Sequence, residues 1–243
     1  MARVFVTGSA DGLGRMAAGA LLEQGHAVVV HARNEARLEA VRELIDRGAD
    51  GVVGDLADLE ETRSLARQVN ELGPMDAVIH NAGVVSGPLV LPVNVVAPYV
   101  LTVLVERPQR LVYLSSGMHR GGRLNLAGMD WSGERVTGSY SDSKLFVTTL
   151  AAAVARLWPD VISNSVDPGW VPTKMGGRSA PDDLQLGHAT QEWLAASDDP
   201  EALTSGGYWH HRRLLAPAPS VGDERFQNEL LDELARFTGT RLS

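Results

Sequence analysis

The first 31 residues constrain this chain more than any later segment. An apolar run at 2–6 leads into a glycine-rich turn, an amphipathic stretch follows at 12–23, and a second apolar run fills 27–31 after Gly25. Strand, turn, helix and strand in that order make a βαβ unit, which builds a parallel sheet with helices packed on its faces. The alternation continues. Helices are predicted over 35–47, 59–72, 93–106, 140–158, 186–196 and 224–237, and strands over 51–54, 76–80, 111–114, 161–166 and 207–210. The 93–106 stretch reads as helix despite its β-branched residues. Residues 117–138 hold six glycines and little periodicity, as a long functional loop does. The sum is an α/β fold: one domain over 1–243, with a doubly wound, mostly parallel seven-stranded sheet and helices on both faces.

Composition removes several classes of function. Without cysteine there is no disulfide scaffold, thiolate metal site or cysteine nucleophile. No apolar run reaches the ~18–20 residues of a membrane-spanning helix, and Met1 to Val6 lacks the pattern of a signal peptide. The expected location is therefore cytoplasmic, with no membrane partner. A formal charge of −8 argues against a nucleic-acid surface, which draws on clustered basic residues. Of the 22 basic side chains only Lys144 and Lys174 are lysines, so a lysine here is a chemically selective choice.

The turn after the first strand reads Thr7, Gly8, Ser9, Ala10, Asp11, Gly12, Leu13, Gly14, a TGxxxGxG pattern. Its glycines let backbone amides approach a pyrophosphate at the helix N-terminus, where the partial positive charge favours an anion. An ordinary strand-to-helix turn is the bland alternative, and the surrounding βαβ unit weighs against it. At the end of the second strand, where NAD-binding proteins carry an acidic residue for the ribose hydroxyls, stand Ala32 and Arg33. Arg33 suits a 2′-phosphate, which favours NADP(H) over NAD(H); the Asp11 carboxylate opposes that phosphate. Asp55 and Leu56 are placed to bracket an adenine, with a helix-capping role for Asp55 as the alternative. His80, Asn81, Ala82 and Gly83 close the fourth strand with residues small enough for a cofactor to lie against the backbone.

The most specific constellation is Tyr140, Lys144 and Ser116. Four residues apart on a helix, the phenol and the ammonium share one face. A phenol titrates at about 10, so service as a base near neutrality asks for about 4 kcal/mol of preference for the phenolate, and a fixed cation supplies part of it. Ser116 ends the fifth strand at the carboxyl edge of the sheet, positioned to donate to a substrate oxygen. No GxSxG elbow is present, so a serine hydrolase is excluded.

In order, TGxxxGxG at 7–14, Asn81-Ala82-Gly83, Ser116, the YxxxK of Tyr140 to Lys144, and Pro168-Gly169-Trp170-Val171-Pro172-Thr173 resemble the short-chain dehydrogenase/reductase family over nearly the whole chain. The 24-residue step from Ser116 to Tyr140 and the tail around Ser205 to Tyr208 are similar to its retinol-dehydrogenase-like and daunorubicin-ketoreductase-like branch. The resemblance implies a Rossmann fold and hydride transfer between a nicotinamide and a small-molecule carbonyl or alcohol. It implies Tyr140 as general acid/base, Ser116 as the group that polarises the carbonyl, Lys144 on the nicotinamide ribose and Asn94 holding a relay water. It also implies Gly8, Ser9, Asp11, Gly12, Leu13 and Gly14 at the pyrophosphate, and Pro168, Gly169, Val171 and Thr173 toward the nicotinamide. A homodimer or homotetramer is the assembly such relatives suggest. One departure concerns that interface: only ten residues separate Gly83 from Asn94, about half the usual spacing, so the intervening helix is expected to be truncated.

Two other readings compete. A non-catalytic dinucleotide sensor has no chemical need for the full Ser116, Tyr140 and Lys144 set. An epimerase or lyase using its cofactor transiently needs more C-terminal chain than this one offers. Among the remaining polar residues, His119 is read as substrate-lining or as a solvated loop histidine. His210 and His211, adjacent on a strand, are expected to face opposite ways and to make a poor metal pair. Lys174 is either a cofactor-phosphate contact or a surface charge. Met118, Trp131, Trp170 and Met175 line an apolar pocket or pack in the core.

Overall fold

The computed structural model describes residues 1–242. Eight strands form one sheet in the order β3-β2-β1-β4-β5-β6-β7-β8. They are β1 (Arg3–Val6), β2 (Ala27–Ala32), β3 (Asp50–Val53), β4 (Ala77–His80), β5 (Arg110–Leu114), β6 (Ile162–Asp167), β7 (Tyr208–His210) and β8 (Arg213–Leu215). Every pairing is parallel except β7 with β8. The seven expected strands are all present. The eighth is added by a tight reversal at His211 and Arg212, both with positive φ (48° and 58°), a hairpin turn that usually draws Asn and Gly and so escapes sequence signals.

Strand alternation splits the core in two. Phe5, Val29, Val78, Leu111 and Tyr113 point to one face, where α4 (Leu59–Glu71), α5 (Ala97–Leu104), α6 (Tyr140–Leu157) and α8 (Glu224–Thr238) cover them. Val4, Val6, Val28, Val30, Val112 and Leu114 point to the other, beneath α1 (Gly12–Glu23), α3 (Arg42–Asp46) and α7 (Leu184–Ala196). A sheet buried on both faces requires near-continuous apolar strands, which is how β1, β2 and β4 read.

Two helical expectations are refined. The 35–47 stretch is broken into α2 (Glu35–Leu38), a 3₁₀ turn (Glu39–Val41) and α3. The 93–106 stretch opens as a π-helical turn (Pro92–Val96) before α5. Pro98 lacks the N–H that would return to the Asn94 carbonyl four residues earlier, so regular α-helical bonding cannot pass through this point. Residues 81–89 carry no helix, consistent with the expected truncation.

The order of strands reverses between β1 and β4. The crevice outside their carboxyl ends is where doubly wound sheets bind ligands, and the motif-bearing loops converge there.

Candidate active site

The glycine-rich turn is held by its surroundings. Gly8 and Gly12 have φ of +66° and +52°, open to glycine at little cost. A Cβ on Gly8 would lie 2.9 Å from the Ala82 Cα, and one on Gly14 would lie 2.3 Å from the Asn81 amide nitrogen. That close approach lets Asn81 donate to the Thr7 carbonyl (2.9 Å), while the Thr7 hydroxyl accepts from the Asn81 and Ala82 amides. Beneath the turn, buried His31 accepts from the Gly8 N–H at Nδ1 (2.9 Å) and reaches the Gly54 carbonyl at Nε2 (2.8 Å). These bonds define a neutral imidazole, and burial pushes its pKa down. Ser9 is fully buried, its hydroxyl donating to Val6 O and accepting from the His31 amide, so it braces the turn from within. Asp11 caps α1 through the Gly12 amide.

Tyr140 is the first residue of α6. Ser139 caps the helix in a reciprocal box with Asp142, and Arg123 from the preceding loop clamps the same carboxylate (2.8 Å). Burial raises the Asp142 pKa, but the bonds from Arg123 and Ser139 outweigh it and hold the group at about 2. The helix start, and with it the phenol, is thereby fixed. One turn on, buried Lys144 donates from Nζ to the Leu114 carbonyl (2.7 Å) and lies 5.4 Å from the Tyr140 ring centroid. Burial brings the Lys144 pKa down from 10.5 to about 8, with Asp167 opposing. Burial raises that of Tyr140, partly countered by its hydrogen bond to the Ser116 side chain and reinforced by Asp167. The phenol is accordingly a proton donor at neutral pH, whereas the charge argument from sequence emphasised phenolate formation. Ser116 also accepts from the Met118 amide, capping the 3₁₀ turn Gly117–Gly121.

The cleft between these elements encloses about 250 Å³ and is lined by Gly8, Asp11, Gly12, Leu13, Asn81, Ala82, Gly83, Leu114, Ser115, Tyr140, Lys144, Pro168, Thr173, Lys174 and Met175. Asn94 sits behind it. Its side chain accepts from the Val84 amide and donates to Val84 O and Ser143 Oγ, so it ties the 81–89 segment to α6 beside Lys144. A Cβ on Gly83 would lie 3.3 Å from the Asn94 oxygen and 3.6 Å from Lys144 Nζ.

Other expected residues stand at the margin. Arg33 is exposed beyond β2 and forms no ion pair among the described residues. Asp55 accepts from the Ala57 amide, Leu56 is buried in the core, and Val171 packs near Gly187. Gly169, at φ +81°, donates to Asp167. His119 is neither substrate-lining nor solvated. It is fully buried and bridges the Ser116 carbonyl to the Ala218 amide. His211 lies in the turn rather than on a strand, so its ring stacks on His210 with centroids 3.8 Å apart instead of facing away. No cluster able to hold a metal occurs among the described residues. Trp131 is core, 5.9 Å from Phe146, while Met118, Trp170 and Met175 are exposed.

Sequence reasoning missed His31, Asp167 and Tyr208. His31 carries no local signal, because its partners are backbone groups at Gly8 and Gly54. Asp167 stands directly before the Pro168-Gly169 pair, and that adjacency was its available signal. Also unforeseen is the ion pair that Lys174 makes with Asp11 across the cleft mouth, which Arg37 joins at 3.5 Å. The Lys174 contact, followed by the Gly12 amide and Arg37, lowers the Asp11 pKa although burial opposes it.

A glycine turn at the α1 N-terminus, small residues along the cleft and a buried ammonium fit a dinucleotide. Comparison with known proteins agrees with this class. Residues 2–102 match the family model for short chain dehydrogenases. The short-chain dehydrogenase chyC of Penicillium rubens is 36% identical over 100% of this chain and 99% of its own. The Streptomyces sp. protein DnrU, provisionally named a daunorubicin C-13 ketoreductase, is 30% identical over 97% and 92%. Among solved structures, a Pseudomonas aeruginosa RhlG complex with NADP superimposes with a TM-score of 0.68 over 85% of this chain and 93% of that one, at 21% identity. The chain belongs to the short-chain dehydrogenase/reductase family and is an oxidoreductase of that family. No helix among the described residues is long and apolar enough to cross a membrane.

Proposed function

We propose that the chain is an NADP(H)-dependent reductase of ketones or aldehydes, also able to oxidise the matching alcohols. The observation that carries this reading is Tyr140: a half-buried phenol on the cleft wall, kept protonated, touching Ser116 and one helical turn from a buried ammonium. The nicotinamide, when bound, supplies the hydride. Ser116 orients the substrate oxygen, and the Tyr140 hydroxyl gives it a proton as negative charge develops there. Lys144 holds the ribose and supports the proton-depleted phenol. Asn94, fixed by Val84 and Ser143 in the π-helical turn, is the residue that would hold a relay water. Gly12, Leu13 and the α1 N-terminus receive the pyrophosphate; Pro168 and Thr173 border the nicotinamide end.

Preference for the 2′-phosphate is supported by charge. Lys174 and Arg37 pair with Asp11, the group that opposed it, and Arg33, directly after β2, is exposed with no ion pair among the described residues. With Asp11 paired to two cations, its opposition to a phosphate is weakened, and Arg33 remains to attract one.

The test is a screen of ketones and aldehydes with NADPH and NADH, followed by nicotinamide absorbance. Oxidation of NADPH that depends on a carbonyl compound is expected. A chain that binds the cofactor but turns over none across chemically diverse carbonyls is a sensor, and the proposal fails.

A further inference from the structure

Asp167 ends β6 beside the candidate site, next to Pro168 of the cleft wall, yet the hydride-transfer scheme gives it no task. Its position follows from strand register: Leu114, whose carbonyl holds Lys144, pairs with Val166, and Asp167 is the next residue at the carboxyl edge. The Ser115 amide bonds Val166 O at 2.7 Å, so the two strand ends are locked side by side. The carboxylate is 85% buried in effect, its side chain only 15% exposed. It accepts from the Gly169 amide at Oδ1 (3.0 Å) and from the Tyr208 hydroxyl at Oδ2 (3.0 Å). It also presses on the residue after Ser116, since a Cβ on Gly117 would sit 3.2 Å from Oδ2.

We propose that Asp167 is a positioning residue of the active site: clamped by Tyr208 and Gly169, its carboxylate is the counter-charge that keeps Lys144 an ammonium and Tyr140 a proton donor. This rests on the catalytic reading given above. Lys144 donates to Leu114 O and pairs with no carboxylate among the described residues, so any charge that supports the buried ammonium acts from beyond ion-pair distance. Burial strips a lysine of water and disfavours its charge; a fixed anion nearby opposes that loss. The same anion disfavours a phenolate. Asp167 acts in these two senses on Lys144 and Tyr140.

Gly169 and Tyr208 fix the two carboxylate oxygens in place. Burial and the carboxylate raise the Tyr208 pKa well beyond the ordinary phenol range, so its hydroxyl is a permanent donor. Other charged or titratable groups face Asp167 from each packed element. From β7, His210 Nδ1 lies 3.9 Å from Oδ2 and 3.1 Å from the Asp167 carbonyl. His211 reaches Pro168 O, and Asp182 accepts from the Trp170 amide on the far side of Gly169. From the 3₁₀ turn come His119, its ring tilted at 48° with its centroid 4.6 Å from that of Tyr208, and Arg120, 6.0 Å from the same ring. The buried cation nearest the catalytic phenol is Lys144.

Having two lysines makes a direct test practical. In protein labelled with ¹³C at lysine Cε, the Lys174→Arg variant assigns the Lys144 resonance, which titrates without turnover. Lys144 is expected to titrate near 8. Asp167→Asn, near-isosteric and neutral, is expected to lower that midpoint by about 1 pH unit, the scale of one neighbouring opposite charge. It should draw down the alkaline limb of kcat for carbonyl reduction with it. Tyr208→Phe, which removes the clamp and keeps the charge, should not lower the midpoint. If Asp167→Asn does not fold, Asp167→Ser carries the same expectation. An unchanged Lys144 midpoint in the neutral variant, or an equal fall in Tyr208→Phe, overturns the proposal. Full turnover in Tyr140→Phe and Lys144→Met would overturn the catalytic reading instead, and the lysine titration would still decide the charge pairing.

Discussion

Replacing Lys144 by Met should make the protein more stable while removing its activity. Folding takes the ammonium from an ordinary pKa of 10.5 to about 8, and a shift of that size corresponds to about 3 kcal/mol against the charged form. The thioether carries no such penalty. Against this stands the lost bond to Leu114 O, worth about 1 kcal/mol. Asp167 loses a nearby cation but retains Gly169 and Tyr208. The net is a gain of about 2 kcal/mol at pH 7, or a melting temperature higher by roughly 4–8 °C for a chain of this size. The sign with pH follows from linkage. Because the folded-state pKa is depressed, the unfolded chain binds more protons between about 8 and 10.5, and wild-type stability rises through that window. Below about 8 the full penalty is present. The advantage of Lys144→Met should therefore be largest near neutrality and disappear by about pH 10. Thermal melts of both cofactor-free proteins at pH 7 and pH 10, at constant ionic strength, measure it. Equal melting temperatures at pH 7, or a difference indifferent to pH, would refute the reasoning.

Four further outcomes are expected. Tyr140→Phe should lower kcat by about 10²–10⁴, the usual worth of a general acid, with cofactor affinity by tryptophan fluorescence unchanged; wild-type kcat would remove the assigned role. Arg33→Ala should weaken NADPH binding, measured by calorimetry, more than NADH binding, and equal losses would reject the phosphate contact. Gly14→Ala pushes a methyl to 2.3 Å from the Asn81 amide, so it should break the bond to Thr7 and destabilise by about 1–3 kcal/mol, seen as an earlier urea midpoint. Acid should also destabilise the protein: burial lowers the pKa of His31, of His119 and, to about 3, of His80. The unfolded state then binds the extra protons, and stability falls as pH drops below about 6.5. His80→Phe, which retains the stack on Tyr113, should flatten that decline in urea titrations at pH 7 and 5.

What the sequence made legible tracks the range of the forces involved. The strands could be read because a parallel sheet buried on both faces needs apolar runs such as Val4-Phe5-Val6 and Val28-Val29-Val30. Tyr140 and Lys144 could be paired because helical spacing alone puts them on one face. Arg33, by contrast, was read from its place beside β2, whereas the pairing of Asp11 with Lys174, 163 residues away, has no local signal. The break at 39–41 and the β7–β8 reversal were illegible for another reason: each is a local backbone solution, with His211 and Arg212 at positive φ, that residue type does not announce.

Tyr140 and Lys144 show most clearly where spacing stops being sufficient. Four residues on a helix make the phenol and the ammonium neighbours, and from that alone the cation ought to ease the proton from Tyr140. The folded chain adds burial, which opposes charge on both groups, and a carboxylate from another strand, which opposes it on the phenol and supports it on the lysine. A phenol poised in this way keeps its proton at neutral pH, which is the state the proposed carbonyl reduction asks of Tyr140. A motif therefore specifies which groups meet, whereas the direction in which they are poised depends on residues such as Asp167 and Tyr208 that the sheet brings in from elsewhere in the chain.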